Sequence, residues 1–167
     1  MLKIKQDPLA APTLPGMVGA GALTVIAAGL AAGVIPPPNL DLLAQVSPVV
    51  LIHLVAALAA LAIGTALLVG RKGRSLHRVL GWTWVWMMAV TAGSSMFIRD
   101  LNGGALSWIH LLSGWTLVLL PVGVVLARRH KVALHRRTMT GIYVGGLLIA
   151  GGFTFLPGRL MWRVFFG

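Results

Sequence analysis

The chain has 167 residues, of which 57% are hydrophobic and only 10% are charged, and its mean hydropathy is +0.90. A soluble globular domain carries roughly 25% charged residues, so this composition excludes an ordinary soluble domain and indicates an integral membrane protein. The absence of cysteine excludes disulfides, iron–sulfur clusters, thiolate metal sites and haem attached covalently through a C-x-x-C-H motif.

Apolar runs predict five transmembrane helices, taking about 20 residues as the length that crosses a bilayer. An N-terminal tail (1–15) precedes the first helix (16–35), which contains "GLAAG" and ends at "IPPP". This region partly mimics a signal peptide, but no convincing A-x-A cleavage site follows it, which favours a retained helix. The other four segments cover 47–70, 75–97, 106–127 and 136–156, and an amphipathic interfacial tail (158–167) ends the chain.

The net charge of +11 is distributed unevenly between the two ends of these helices. When successive loops are assigned alternately to the two sides of the membrane, eleven cations lie on one side and three on the other. This positive-inside bias predicts a multi-pass protein of the bacterial inner membrane, with the N-terminus cytoplasmic and the C-terminus outside. The charge therefore indicates topology and contact with anionic lipid headgroups, and it does not indicate a nucleic-acid partner. The cytoplasmic cations are Lys3, Lys5, Arg71, Lys72, Arg74, Arg78, Arg128, Arg129, Lys131, Arg136 and Arg137, and the others are Arg99, Arg159 and Arg163.

An internal repeat relates the two halves of residues 47–157. The stretch "LIHLVAALAALAIGTALLVGRKGRSLHRVLG" aligns with "WIHLLSGWTLVLLPVGVVLARRHKVALHRRTMTG", with one extra residue in the second loop. Each unit, 47–97 and 106–156, is predicted to be a helix hairpin, and parallel repeats pack about an axis along the membrane normal. We therefore predict an all-α membrane protein with five transmembrane helices and a four-helix core built from two parallel helix-hairpin repeats.

The repeat pairs four histidines. His53 matches His110, and His77 matches His135. Equivalent residues lie at equal depth, so the first two would face each other near the outer side and the last two near the inner side. The rise of a helix separates the two layers by roughly 20 Å. Two facing imidazoles are the axial ligands of a six-coordinate b-type haem, so the sequence predicts two non-covalent haem b sites.

Other residues suit the same cofactor. A macrocycle needs space beside its ligands, and Gly81 and Gly114 each lie four residues after a histidine, on the same helical face. Ala57 has this place after His53, whereas Met139 after His135 fits less well. Arginines near the inner edge are expected to pair with propionates. These are Arg74, Arg78 and Arg136, and the candidates near the outer edge are Arg99, Ser107 and Trp108.

Two simpler interpretations of the histidines stay open. His77 and His135 begin helices beside arginine, where an imidazole can contact lipid phosphate. His53 and His110 lie deeper, where each can be a hydrogen-bonded core residue, although an ionisable side chain inside a membrane is a functional hypothesis by default. The fifth histidine, His130, has no repeat partner and is assigned to the solvated basic loop.

The segments "LPGRLMWRVFFG", "KGRSLHRVLGW" and "IHLLSG" resemble the bacterial membrane proteins of domain of unknown function 2306, over most of residues 47–167. That resemblance implies no activity. The placing of one histidine on each of four core helices is similar to cytochrome b-561 type electron carriers. The resemblance to this type implies that His53 and His110 ligate an outer haem and that His77 and His135 ligate an inner one. Its substrate-binding motifs have no match here.

We therefore expect a transmembrane electron carrier. Its electron donor would be a quinol pool or a small reductant, and its acceptor a protein or a metal. A redox partner protein or a second copy of the chain, in a homodimer, is a further expected partner. The first alternative is a non-catalytic membrane subunit or assembly factor without haem. The second is a transporter or sensor that binds a transition metal at the same histidines. Two nitrogens per layer, with no carboxylate or thiol, are a poor ligand set for most such metals.

Overall fold

A computed structural model describes Gly33 and residues 37–70, 72–73, 75–98 and 107–167. The predicted N-terminal tail and first helix lie outside the described residues, apart from Gly33. Arg74 and Arg99 lie outside them as well.

The described part of the chain is helical, with no strand, which confirms the predicted all-α class for these residues. A short helix, α1, precedes four long ones. The last of these, α5, begins at Val132, four residues before the predicted start, and α6 closes the chain. The bounds are α1 Asp41–Ala44, α2 Pro48–Val69, α3 Ser75–Ser95, α4 Trp108–Arg128, α5 Val132–Phe155 and α6 Leu160–Phe166.

Local chemistry explains where these helices begin and end. The Ser47 hydroxyl accepts a hydrogen bond from Val50 N (3.4 Å), and Pro48 occupies the first turn of α2, where its missing N–H costs nothing. The turn into α3 contains Gly73 at φ +80°, a left-handed conformation open to glycine. His130 takes a similar conformation (φ 56°) between α4 and α5, so the basic loop reverses the chain within a few residues.

Helix α5 changes its geometry along its length. It is α-helical over Val132–Ile142, π-helical over Tyr143–Ile149, α-helical again over Ala150–Gly152 and 3₁₀-helical over Phe153–Phe155. A π-helical stretch is rare and often marks a functional site. Here it carries Tyr143 and Leu147 into the core.

The four long helices form a closed ring. Helix α2 packs along α3, α3 along α4, α4 along α5, and the π-helical part of α5 returns to contact α2. Helix α2 therefore lies diagonally across from α4, and α3 lies diagonally across from α5. This order places the first and third helices opposite each other, as it does the second and fourth.

The centre of the ring is filled by large side chains around one close approach between helices. Trp84, Met88 and Tyr143 are buried there with Ala60 and Leu120. A Cβ on Gly64 would lie 2.5 Å from Tyr143 Cδ2 and 2.7 Å from Trp84 Nε1, so only glycine fits at this point of α2. The neighbouring Trp82 and Trp86 are exposed on the outer surface of α3.

Three described helices are long and apolar enough to cross a membrane: Pro48–Val69, Trp108–Arg128 and Val132–Phe155. Many large apolar side chains on their outer faces, such as Leu51, Val55 and Leu111, are exposed as lipid-facing residues would be. The tail that was predicted to be amphipathic contains α6. This helix follows Gly158 and is tied to the rest of the chain through Val164, whose carbonyl accepts from Asn39 N (2.7 Å).

Candidate functional site

The four histidines lie at the two ends of the ring. His53 lies six residues into α2 and contacts the last turns of α3, and His110 lies in the first turn of α4. We call these two residues the outer pair. His77 and His135 lie in the first turns of α3 and α5, at the opposite end, and we call them the inner pair. The two members of each pair lie on diagonally opposed helices.

His53 has a defined tautomer. Its Nδ1 lies 2.9 Å from the carbonyl oxygen of Thr91 and 3.1 Å from Ser94 Oγ, both on the neighbouring helix α3. A carbonyl oxygen only accepts, so Nδ1 carries the ring proton and donates it. The other nitrogen, Nε2, then carries a lone pair. This imidazole is in the tautomer that can bind a metal through Nε2.

His135 repeats this arrangement at the other end of the ring. Its Nδ1 lies 2.8 Å from the carbonyl oxygen of Gly123 on the neighbouring helix α4. By the same reasoning Nδ1 donates and Nε2 keeps its lone pair. His77, the other member of the inner pair, lies near enough to His135 and Lys72 to interact with both electrostatically.

His110 is the most buried of the histidines, with 5% of its surface exposed. Its Nδ1 accepts a hydrogen bond from the backbone N–H of Ser107, the N-cap residue of α4 (3.0 Å), and also lies 3.0 Å from Ser107 Oγ, so the proton of the neutral ring is on Nε2. Its Nε2 is buried and has no hydrogen-bond partner among the described residues. A buried polar atom without a partner is uncommon in a folded protein and calls for an explanation.

Polar side chains surround the outer pair. The buried polar residues of the described part of the chain are His110 itself together with Thr91, Ser95, Ser113 and Thr116. Ser95 and Ser113 form a hydrogen bond between α3 and α4. All five lie on these two helices, and all but Thr116 lie near the end of the ring that contains the outer pair. This half is therefore more polar than the centre of the ring.

The small residues predicted to leave space for a macrocycle have different surroundings. A Cβ on Gly81 would meet nothing within 4 Å, and one on Gly114 would lie 3.5 Å from Met96 Cε. Beside His135, the Met139 side chain packs against Gly123, where an added Cβ would lie 2.5 Å from Met139 Cε. Flexible methionine side chains thus lie beside Gly114, one turn after His110, and beside Gly123, whose carbonyl oxygen is the partner of His135.

The two predicted inner propionate partners that the structure describes lie near the inner pair. Arg78 and Arg136 are exposed, each next to a histidine in the sequence. Arg128, at the end of α4, stacks over the ring of Trp82 at 5.8 Å. Of the outer candidates, Trp108 is exposed and Ser107 bonds to His110.

Sequence reasoning missed the hydrogen-bond partners of the histidines. Main-chain carbonyls such as those of Thr91 and Gly123 have no signature in a sequence. Ser107 did have one, because a serine three residues before His110 has the spacing of a capping box, with histidine in the place of glutamate. No three His, Cys, Asp or Glu side chains of the described residues cluster as a metal-binding group.

Comparison with known proteins gives one match. Residues 50–161 match the family described as predicted membrane protein, domain of unknown function 2306. The chain belongs to this family. The match covers all four histidines that form the two pairs, and it identifies the protein as a membrane protein. No curated protein and no solved structure matches the chain significantly.

Proposed function

We propose that this protein is a transmembrane b-type cytochrome that passes electrons across the bilayer through two haems, each held by one histidine pair. The observation that carries the proposal is the state of the Nε2 atoms. In each pair, one histidine donates its Nδ1–H to a carbonyl of the adjacent helix, which leaves a lone pair on its Nε2.

The hydrogen bonds from Nδ1 to main-chain carbonyls correspond to the hydrogen bonds that orient histidine ligands in metal sites. They select the tautomer, fix the orientation of the ring and increase the basicity of the ligating nitrogen. Thr91 does this for His53 and Gly123 does it for His135. A haem held by two imidazoles would supply one-electron chemistry at a potential that its surroundings adjust.

The distance between the pairs suits transfer across the membrane. On α3, Thr91, which contacts His53, lies fourteen residues from His77. On α4, His110 lies thirteen residues from Gly123, which contacts His135. At 1.5 Å per residue both helices separate the two pairs by about 20 Å. One pair therefore belongs to each half of a bilayer whose apolar core is about 30 Å thick.

The proposal includes a location and partners. The charge bias between the loops supports an inner-membrane protein with its inner pair towards the cytoplasm. The cations around that pair favour anionic lipid headgroups as neighbours. The electron donor on one side would be a quinol or a small reductant, and the acceptor on the other side would be a redox protein or a metal.

The test is the absorption spectrum of the purified protein. We expect a Soret band and sharp α and β bands on reduction, as two strong axial imidazoles produce, either directly or after haem is added to the apoprotein. Protein that shows no Soret band before or after reconstitution would contradict the proposal.

A second candidate function is a membrane subunit or assembly factor without haem. The same hydrogen bonds favour it, because His53 joins α2 to α3 and His135 joins α4 to α5, so both histidines can act as structural links. This function predicts co-purification with a partner complex. It also predicts that His53→Ala lowers stability without any change in the visible spectrum.

A further inference from the structure

The outer surface of α3 carries an exposed arginine and two exposed tryptophans in a single line. Arg78, Trp82 and Trp86 follow one another at intervals of four residues, which places them on one side of the helix. Arg78 lies at the inner end of this line, next to His77, and Trp86 lies towards the middle of the helix. The line therefore has a charged end and an aromatic body.

The neighbouring helix α4 carries a matching line. Arg128 is the last residue of α4, at the inner end of the ring. Exposed valines precede it at helical spacing, namely Val125, Val122 and Val118. The guanidinium carbon of Arg128 lies 5.8 Å from the centroid of the Trp82 ring, a distance at which a cation is attracted to the face of an aromatic ring. Because this contact joins α4 to α3, the two lines adjoin, and we call them together the α3–α4 face.

The α3–α4 face has no neutralising carboxylate within the described part of the chain. Asp41 is the only acidic residue there, and it lies in α1, at the opposite end of the ring. The other described residues near the inner end add further positive charge: Lys72, Arg129, Lys131, Arg136 and Arg137. This end of the ring therefore attracts anions, and its field favours them over neutral or zwitterionic groups.

The face matches a phospholipid in both of its parts. Guanidinium groups form paired hydrogen bonds with phosphate oxygens, and the apolar side chains beyond them present a surface to acyl chains. A free phosphate ion would use only the two arginines and would leave Trp86 and Val118 uncovered, although both are well exposed. The matching occupant is thus an amphiphile whose negative group lies at the inner end of the face.

We propose that the α3–α4 face is a binding site for an anionic phospholipid. The headgroup contacts Arg78 and Arg128, and an acyl chain lies along Trp82, Trp86 and the valines of α4. Stacking on Trp82 holds the Arg128 guanidinium beside α3. Such a site differs from the general attraction of basic loops to anionic lipid, because its affinity depends on which arginines are present and not only on how many. It goes beyond the proposed function and needs no haem.

Native mass spectrometry of the full chain tests the site. The protein is released from micelles that contain equal amounts of phosphatidylglycerol and phosphatidylcholine with the same acyl chains. We expect phosphatidylglycerol to bind more tightly. Arg78→Gln and Arg128→Gln should each weaken its binding by about fivefold, the contribution of one cation at a membrane surface. Arg129→Gln is the matched control, because it removes the same charge from the next position, outside the face, and should leave the affinity nearly unchanged.

Two further measurements complete the test. Trp82→Leu keeps the charge and an apolar side chain but removes the ring on which Arg128 stacks, so it should weaken binding by about twofold to fivefold. A large excess of inorganic phosphate should not displace the lipid. Equal losses in Arg128→Gln and Arg129→Gln, unchanged binding in Trp82→Leu, no preference for phosphatidylglycerol, or displacement by inorganic phosphate would each overturn the proposal.

Discussion

Replacing Gly64 by alanine tests the packing that sets the order of the helices. An added Cβ would lie 2.5 Å and 2.6 Å from two ring carbons of Tyr143 and 2.7 Å from Trp84 Nε1. Both rings are buried, with 6% and 3% of their surfaces exposed, so neither can swing aside freely. Relief of these contacts therefore requires α2 to move away from α3 and α5.

The loss of stability expected for Gly64→Ala can be measured against the same change at a glycine in open space. Overpacking a well-filled core costs about 1–3 kcal/mol. Gly141→Ala is the control, because a Cβ there meets nothing within 4 Å and the residue lies in the α-helical part of α5. Alanine in a helix is favoured over glycine by up to about 1 kcal/mol. Both changes gain this preference, so the two variants should differ in free energy of unfolding by the overpacking cost alone, about 1–3 kcal/mol.

Unfolding in mixed micelles with increasing dodecyl sulfate, followed by tryptophan fluorescence, would measure this difference. Adding Tyr143→Leu to Gly64→Ala should cost less than the sum of the two single changes, because the ring that the new methyl group meets is gone. Gly64→Ala protein as stable as Gly141→Ala protein would refute the reasoning. Helix α2 would then not lie against Tyr143 and Trp84, and the diagonal arrangement of the histidine pairs would lose its support.

Two further changes test the polar contacts between helices by the same unfolding measurement. Ser95→Ala and Ser113→Ala should each lower the free energy of unfolding by about 1 kcal/mol. The double variant should lose clearly less than the sum, because the second change removes the group left unpaired by the first. Additive losses would show that the two hydroxyls do not interact. Tyr143→Phe should lower the free energy of unfolding by about 0.5–1.5 kcal/mol, because the 2.7 Å hydrogen bond to Thr65 is lost. In protein that already carries Thr65→Val, this bond is absent, so Tyr143→Phe should cost nothing further. An equal cost of Tyr143→Phe with and without Thr65 would contradict this contact.

Much of the fold of the described part could be predicted from the sequence. Apolar runs of spanning length lie where α2 and α4 are found, because burial of such runs in lipid decides their structure. The run predicted over 75–97 is helical as α3, but α3 is not among the three described helices that are long and apolar enough to cross a membrane. The start of α5 was predicted four residues too late. The chain around this start carries Lys131, Arg136 and Arg137, whose charges belong in water, so hydropathy alone does not mark it. The π-helical stretch at Tyr143 could not be predicted, since it depends on packing against α2 and α4.

The candidate site could likewise be predicted from the sequence only in part. Matched spacings within the repeat singled out the four histidines, and the ring places them on diagonal helices at its two ends. The tautomers of His53 and His135 depend on the carbonyls of Thr91 and Gly123, which any residue type would supply. Among the three tryptophans at alternate positions, only the folded ring decides that Trp84 points inwards. Contacts made by the main chain and by packing therefore had to come from the structure.

The number of haems bound per chain in paired histidine variants tests the central claim most directly. The unaltered protein should bind two. His53→Ala, His110→Ala and the double variant His53→Ala/His110→Ala should each bind one, because both residues serve the same haem, and His53→Ala/His77→Ala should bind none. Haem extracted from reconstituted protein and quantified as its pyridine complex gives the count. Unaltered protein that binds no haem, or a single change that removes both haems or neither, would contradict the account.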